Sequence, residues 1–304
     1  MTANHARRRS SCLRESSQLY DAVILVLCTF VLLITLYPIY YVFIIALSGG
    51  QHAIAMDVYF WPKDFSLDNL KLLATDAEMW NAYRNTLLYV VGSTVLTLIT
   101  SATCAYPLSV KGLPGRKFVV AYLLVPMYFG GGLIPSYLLI TQLGLYDTPW
   151  AIILPASFSV MNIILVRTSF TQLPESLRES AKIDGANHFT ILARIYLPLS
   201  KPILAVVAIY SVVGMWNSWF NAQVYLPNRE YHPLQLYLQR VLVQQTVDLT
   251  QLRSEEYEWA MEKMFTATQL KYSMIVFTVL PVLFTYPFFQ RYFVKGIMVG
   301  SLKE

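Results

Sequence analysis

The chain has 304 residues, 56% of them hydrophobic and only 13% charged, with a formal net charge of +5. Soluble domains carry roughly 25% charged residues, so this composition excludes an ordinary water-soluble domain and points to lipid as the solvent. The small positive balance gives no ground for nucleic-acid binding, and Cys12, Cys28 and Cys104 lack the spacing of a disulfide framework or a metal site.

Apolar runs of about 20 residues without charge are read as transmembrane helices. Six occur, at 22–47, 85–110, 118–141, 149–166, 202–226 and 272–290. The expectation is an all-α membrane protein with one six-helix domain over 22–294. An N-terminal segment 1–21 and a tail 295–304 flank it. Arg7, Arg8, Arg9 and Arg14 precede the first run, which is too long for the apolar core of a signal peptide and is expected to remain as a span.

Lys and Arg accumulate in cytoplasmic segments. Here they gather in 1–21, after the second span (Lys111, Arg116, Lys117), between the fourth and fifth (Arg167, Arg178, Lys182, Arg194, Lys201) and after the sixth (Arg291, Lys295, Lys303). Both termini are therefore expected in the cytoplasm, with loops 48–84 and 227–270 outside. The third span contains Gly130, Gly131 and Gly132 just before Pro135. That run reads either as a broken helix lining a cavity or as small residues for close helix packing.

Between spans four and five lies a charged insert, 174–200. Pro174 suits the first turn of a helix and Glu175 complements its dipole. Leu173, Leu177 and Ala181 align at i, i+4, i+8, and Gly185 can close the helix in the left-handed conformation. Asn187 is a good cap for a second helix, in which Phe189, Leu192, Ala193 and Tyr196 repeat on one face. Pro198 is expected to stop it and Ser200 to cap the next span. The spacing predicts two short amphipathic helices at the cytoplasmic mouth.

None of the six runs contains Asp, Glu, Lys, Arg or His, so no proton relay is visible. On the fifth span Tyr210, Gly214, Asn217 and Asn221 fall on one helical face, with Trp216 and Phe220 beside it. Amides next to aromatic planes suit a neutral, hydroxyl-rich ligand. Helix bridging by the amides and interfacial placement of the rings account for the same residues. Loop 227–270 is long and acidic, and Leu234, Leu238 and Val241 give it a short helical period. It reads as a partly helical segment that touches something soluble, or as a solvated connector.

The insert also carries the pattern E-A-A, three residues, G, nine residues, I-x-L-P, present as Glu179-Ser180-Ala181, Gly185 and Ile195-Tyr196-Leu197-Pro198 with Ser180 for Ala. On this pattern the chain resembles ABC importer permeases. "FGGGLIPSYLLITQLGLYDT", "ARIYLPLSKPILA", "WNSWFNA" and "FVKGIMVGSLKE" are similar to the carbohydrate-uptake branch, the second permease of the maltose type. The resemblance implies a bacterial inner-membrane subunit that pairs with a second permease, two copies of a cytoplasmic ATPase and an extracytoplasmic solute-binding protein, and passes a carbohydrate through the bilayer.

It further implies that Glu179, Ser180, Ala181, Asp184, Gly185, Ile195, Leu197 and Pro198 form the ATPase-coupling element. Tyr210, Trp216, Asn217, Phe220 and Asn221 would face the substrate path. Tyr231, Tyr237, Tyr257 and Trp259 of the external loop would help eject sugar from the binding protein, and the tail would reach the ATPase interface. The chain has no G-x-x-x-x-G-K-[ST] loop, so ATP and Mg are expected on the partner ATPase and no cofactor on this chain. A permease for another polar solute is the alternative. A secondary carrier would show an intramembrane carboxylate or an inverted repeat, and neither is visible.

Overall fold

The computed structural model describes residues 3–243 and 268–284, and no strand occurs among them. The elements in order are α1 (Ala3–Ala46), α2 (Gly50–Ala55), α3 (Asp68–Thr75), α4 (Ala77–Ser109), α5 (Arg116–Tyr128), α6 (Leu133–Gln142), α7 (Trp150–Ala156) and α8 (Val160–Thr171). There follow α9 (Glu175–Ile183), α10 (His188–Leu199), α11 (Lys201–Trp216), α12 (Phe220–Tyr225), α13 (Leu234–Val243) and α14 (Thr268–Phe284). Contacts divide the chain into Met1–Leu73 with Gln245–Val276, and Ala74–Gln244 with Phe277–Glu304.

In the first unit, Tyr20–Ala46 is long enough to span a bilayer, and its most apolar stretch is wholly unburied. Only water's absence makes such a surface stable. Its last turn packs Ile44 and Ile45 against Ala53 and Val58, with Tyr41 and Tyr272 alongside. Gln269 donates to the Ser48 carbonyl at 2.6 Å, and His52 bridges Asp57 and Asp64 at 3.0 and 2.9 Å.

In the second unit α4 is the central mast. Asp76 caps it, accepting from the Glu78 and Met79 amides, and α8 and α11 pack along it. Its N-terminal part is strapped to the chain after α12. Asn85 donates to the carbonyls of Glu230 and His232, Tyr89 to that of Tyr231, and the Leu234 amide to Thr86 Oγ1. The beginning of loop 227–270 is therefore folded onto the mast, and α13 adds the Tyr237–Asp76 bond and the Arg240–Glu78 ion pair. Tyr257 and Trp259 lie outside the described residues, as does tail 295–304.

Several apolar runs read as single helices are broken. Tyr20–Ala46, Ala77–Ser109 and Trp150–Thr171 are long and apolar enough to cross a membrane. Two further spans exist only if bent pairs are counted, α5 with α6 at 113° and α10 with α11 at 83°. The sixth run appears as α14, and its continuation toward residue 290 lies outside the described residues. The α5–α6 break falls on residues 129–132. Gly132 has φ 86°, which glycine adopts freely, and a Cβ on Gly130 or Gly132 would meet nothing within 4 Å. Close packing against the described residues is therefore not what Gly130 and Gly132 provide.

Candidate functional site

Two places bring chemistry-bearing residues together. The first is a knob made by α9 and α10. Glu175 stands in the first turn of α9 and Asp184 at its C-cap. Gly185 takes φ 78°, and the Gly185 and Ala186 amides return to the carbonyls of Lys182 and Ala181 at 3.0 and 2.9 Å. Asn187 Oδ1 accepts the Thr190 amide at 2.8 Å and starts α10. The turn chemistry follows the sequence expectation, but the buried faces differ.

Ala181 is buried and Leu177 is 40% exposed, while Arg178 is buried instead. The Arg178 guanidinium donates to Glu175 at 2.9 Å and Lys111 approaches the same carboxylate at 3.1 Å. That ammonium, with Arg178 behind it, holds the Glu175 carboxyl below the usual carboxylate range. The knob is thus tied to the loop after α4.

Helix α10 carries a wider turn over Leu192–Tyr196, with the Leu197 amide bonded to the Leu192 carbonyl. Pro198 has no N–H for the ordinary ladder, and the helix absorbs the defect upstream and runs on to Leu199. The wide turn buries Ile191, Leu192 and Tyr196 and leaves Phe189 75% exposed, where a regular period puts Phe189 inside. Tyr196 meets Tyr106 and Phe170 edge-on at 5.0 and 5.2 Å, and the Tyr106 hydroxyl lies 3.1 Å from His188 Nδ1. Each edge-to-face pair adds about 0.5–1.5 kcal/mol beyond burial.

Together with Ala102, Val166 and Val207, these rings root the knob in the helix bundle. Ser200 sits at the 83° bend, but its hydroxyl is buried without a partner among the described residues and does not cap α11. Glu179, Ser180, Asp184 and Gly185 are all exposed, with Ile183 (87%) and Phe189 forming an apolar tip beside them. Ile195 and Leu197 pack against the knob's core, and Pro198 is exposed.

The second place is a cavity of about 390 Å³ inside the bundle. It opens where two helix breaks face the mast: residues 157–159 between α7 and α8, and 217–219 between α11 and α12. The carbonyls freed at the first break are taken by α4, with Thr100 donating to Ser157 O at 2.6 Å and Thr97 to Ala156 O at 3.4 Å. Ser159 and Asn162 line one wall, Tyr210, Ser211 and Gly214 another, and Ser218 and Asn221 the end. Every polar group here is neutral.

The single-helix face expected for the fifth span does not exist, because α11 stops at Trp216. Tyr210 and Asn221 reach the cavity; Asn217, Trp216 and Phe220 do not line it. Asn217 donates back to the Val213 carbonyl at 2.9 Å. Trp216 is buried, donates to Thr278 O at 3.3 Å and meets Tyr83 edge-on. Phe220 is half exposed and packs on Trp219. Sequence reading missed Ser93, Ser159, Asn162, Ser211 and Ser218. A usable signal was the polar stripe Ser93, Thr97, Thr100 at i, i+4, i+7 on the second span.

Residues 3–299 match the family model described as binding-protein-dependent transport system inner membrane component. Protein LplC of Bacillus subtilis (strain 168) is 35% identical over 270 residues, covering 89% of this chain and 90% of that protein. The polygalacturonan/rhamnogalacturonan transport system permease protein YtcP of the same organism is 30% identical over 287 residues, covering 94% and 99%. Among solved structures, a chain of a bacterial ABC transporter involved in the import of the acidic polysaccharide alginate superimposes with a TM-score of 0.81 at 32% identity, covering 91% of this chain and 98% of that one.

Proposed function

Because the chain belongs to the family of binding-protein-dependent transport system inner membrane components, we propose that it is the permease subunit of an ATP-driven importer that takes up an oligosaccharide. A second permease completes the path, two copies of a separate ATPase bind ATP and Mg, and a solute-binding protein delivers the sugar from outside. The distribution of Lys and Arg supports an orientation with the knob and both termini in the cytoplasm.

The observation that carries this reading is the knob. A transporter without its own nucleotide site must turn closure of an ATPase dimer into helix movement. That requires a rigid element projecting from the bundle with an unpartnered docking face. Glu179 has no ion-pair partner among the described residues, and Ile183 and Phe189 stand out beside it. The base of the knob is locked by Arg178, Tyr106 and Tyr196. A push on the tip would travel through α10 to the bend at Ser200 and into α11, whose far end forms the cavity. Two-state rocking of such packed helices is the usual form of this motion.

The cavity supports a sugar as cargo. Asn162, Asn221, Ser159, Ser218 and the Tyr210 hydroxyl offer donors and acceptors without charge, matching a hydroxyl-rich solute. The names of YtcP and of the alginate transporter point to polysaccharide fragments. Asn217 and Trp216 have structural roles in this reading.

The test is uptake of labelled oligosaccharides by cells carrying Glu179→Lys, with membrane level and co-purification of the ATPase measured alongside. Loss of both uptake and ATPase association at normal membrane level is expected. Unchanged transport would remove the knob from the coupling role. Uptake of a non-sugar solute alone would move the chain to another branch of the family.

A further inference from the structure

A second concavity, of about 720 Å³, lies outside both places described above, between the start of α5 and α8. Its mouth carries three cations from two separate elements, Arg116, Lys117 and Arg167, and its wall is Val120, Ala121 and Leu124. Neither Arg116 nor Lys117 has an ion-pair partner among the described residues. Among the described residues Arg167 bonds only through its Nε, donating to the Leu108 carbonyl at 3.0 Å, which leaves the rest of its guanidinium facing the groove mouth without a described partner. The nearby carboxylate of Glu175 is already held by Lys111 and Arg178. This gives an uncompensated triple positive charge at the rim of an apolar track.

Its position along the bundle is set by the same contacts. Lys111 and Leu108 connect this end of α4 to the knob and to Arg167, so the rim lies at the knob end of the spans. Phe118 and Tyr122, on α5 beside the groove, are 76% and 69% exposed, as suits rings at a membrane–water boundary. A soluble anion would satisfy the cations but leave the apolar wall bare. A neutral lipid would do the reverse.

We propose that this groove binds an anionic phospholipid, its phosphate held by Arg116, Lys117 and Arg167 and one acyl chain lying along Val120, Ala121 and Leu124. Basic pockets between transmembrane helices hold anionic headgroups in this way. The assignment of the leaflet, cytoplasmic, rests on the orientation proposed above; the binding itself does not. The lipid would brace the loop from which Lys111 reaches the knob.

The experiment is native mass spectrometry of the full-length chain purified with its associated subunits, with phosphatidylglycerol, phosphatidylcholine and sodium phosphate as probes. Phosphatidylglycerol should be retained at least about tenfold over phosphatidylcholine. Its affinity should fall about thirtyfold in the double variant Arg116→Gln, Lys117→Gln, as two interfacial charges imply. Arg167→Lys should retain the lipid. Ala121→Trp, which fills the acyl track and keeps all three charges, should lose it while the subunits still co-purify.

Equal retention of the two lipids, or an unchanged double variant, overturns the proposal. Displacement by millimolar phosphate would make the groove a soluble-anion pocket and overturn the lipid assignment. A photoactivatable phosphatidylglycerol that labels residues 113–124 in the assembled transporter supports it. Failure to label there would mean that another subunit fills the groove, and would also overturn it.

Discussion

The knob at 175–199 and the cavity at the two helix breaks are built on opposite principles. Every feature that shapes the knob's turn lies within a few residues of it: Glu175 in the first turn, Gly185 with φ 78°, Asn187 capping at 2.8 Å. The cavity draws on Ser93, Asn162, Ser211 and Asn221, which come from α4, α8, α11 and α12. The knob, proposed above to dock on another protein, is shaped locally and then anchored by Tyr106 and Tyr196. The cavity, proposed above to lie on the path, is assembled from breaks whose freed carbonyls are held by single hydroxyls such as Thr100.

The contrast is broken most directly at the knob. Glu179→Lys is expected to reduce uptake at least about tenfold, since truncating or reversing one charge of a docked pair costs about 2–5 kcal/mol. Transport by vesicles containing the complete importer measures it. Gly185→Val should match it, because a β-branched residue is strongly disfavoured at positive φ. If Gly185→Val transports normally, the knob is not the rigid element described here.

Tyr196→Ala tests the anchor rather than the tip. Removing a ring that packs edge-on against two others should destabilise the bundle by about 3–5 kcal/mol, seen as a lower unfolding temperature in detergent. Uptake should fall with docking surface intact.

At the cavity the effects should be smaller and graded. Asn162→Ala and Asn221→Ala are each expected to raise the apparent KM for sugar about 3–10-fold, the worth of one hydrogen bond, with ATP hydrolysis in the absence of sugar unchanged. Asn217→Ala, whose amide bonds only its own helix, should change KM less than about twofold. Equal effects at 217 and 221 would restore a single helical face and contradict the break after Trp216.

The smallest effect concerns the His52 clamp in the other unit. Hydrogen bonds that the His52 imidazolium donates to Asp64 and Asp57 raise its pKa above the ordinary 6.5, and Lys63, with His52, lowers that of Asp57. A raised pKa means that protonated His52 favours the folded loop. Its contribution is complete below the ordinary histidine value and disappears as pH climbs through the raised one. Asp57 contributes above its ordinary value and loses its effect as pH falls through the lowered one. The protection of amides over 49–66, taken relative to their intrinsic base-catalysed exchange, should therefore be greatest between those limits and fall as pH rises through the raised histidine value, and His52→Gln should abolish that fall.

Composition and charge placement were enough to read a helical membrane chain with a charged insert, and the E-S-A-x3-G-x9-I-x-L-P pattern was enough to place it among importer permeases. These are local or additive properties: an apolar run needs lipid wherever it lies, and a cap or a left-handed glycine acts on its own turn. Periodicity failed where the helical ladder is interrupted. Pro198 forces a wide turn that exposes Phe189 and buries Ile191, and Arg178 displaces Leu177 from the inside because Glu175 and Lys111 compensate its charge. Asn217 and Asn221 looked equivalent at helical spacing, and a break between them sends one amide to its own backbone and the other into the cavity. Which carbonyls are freed, and which hydroxyls are near enough to donate to them, depends on how α4, α8 and α11 pack across long sequence separations. Only the tertiary structure decides that, and with it which neutral polar side chains line the cavity.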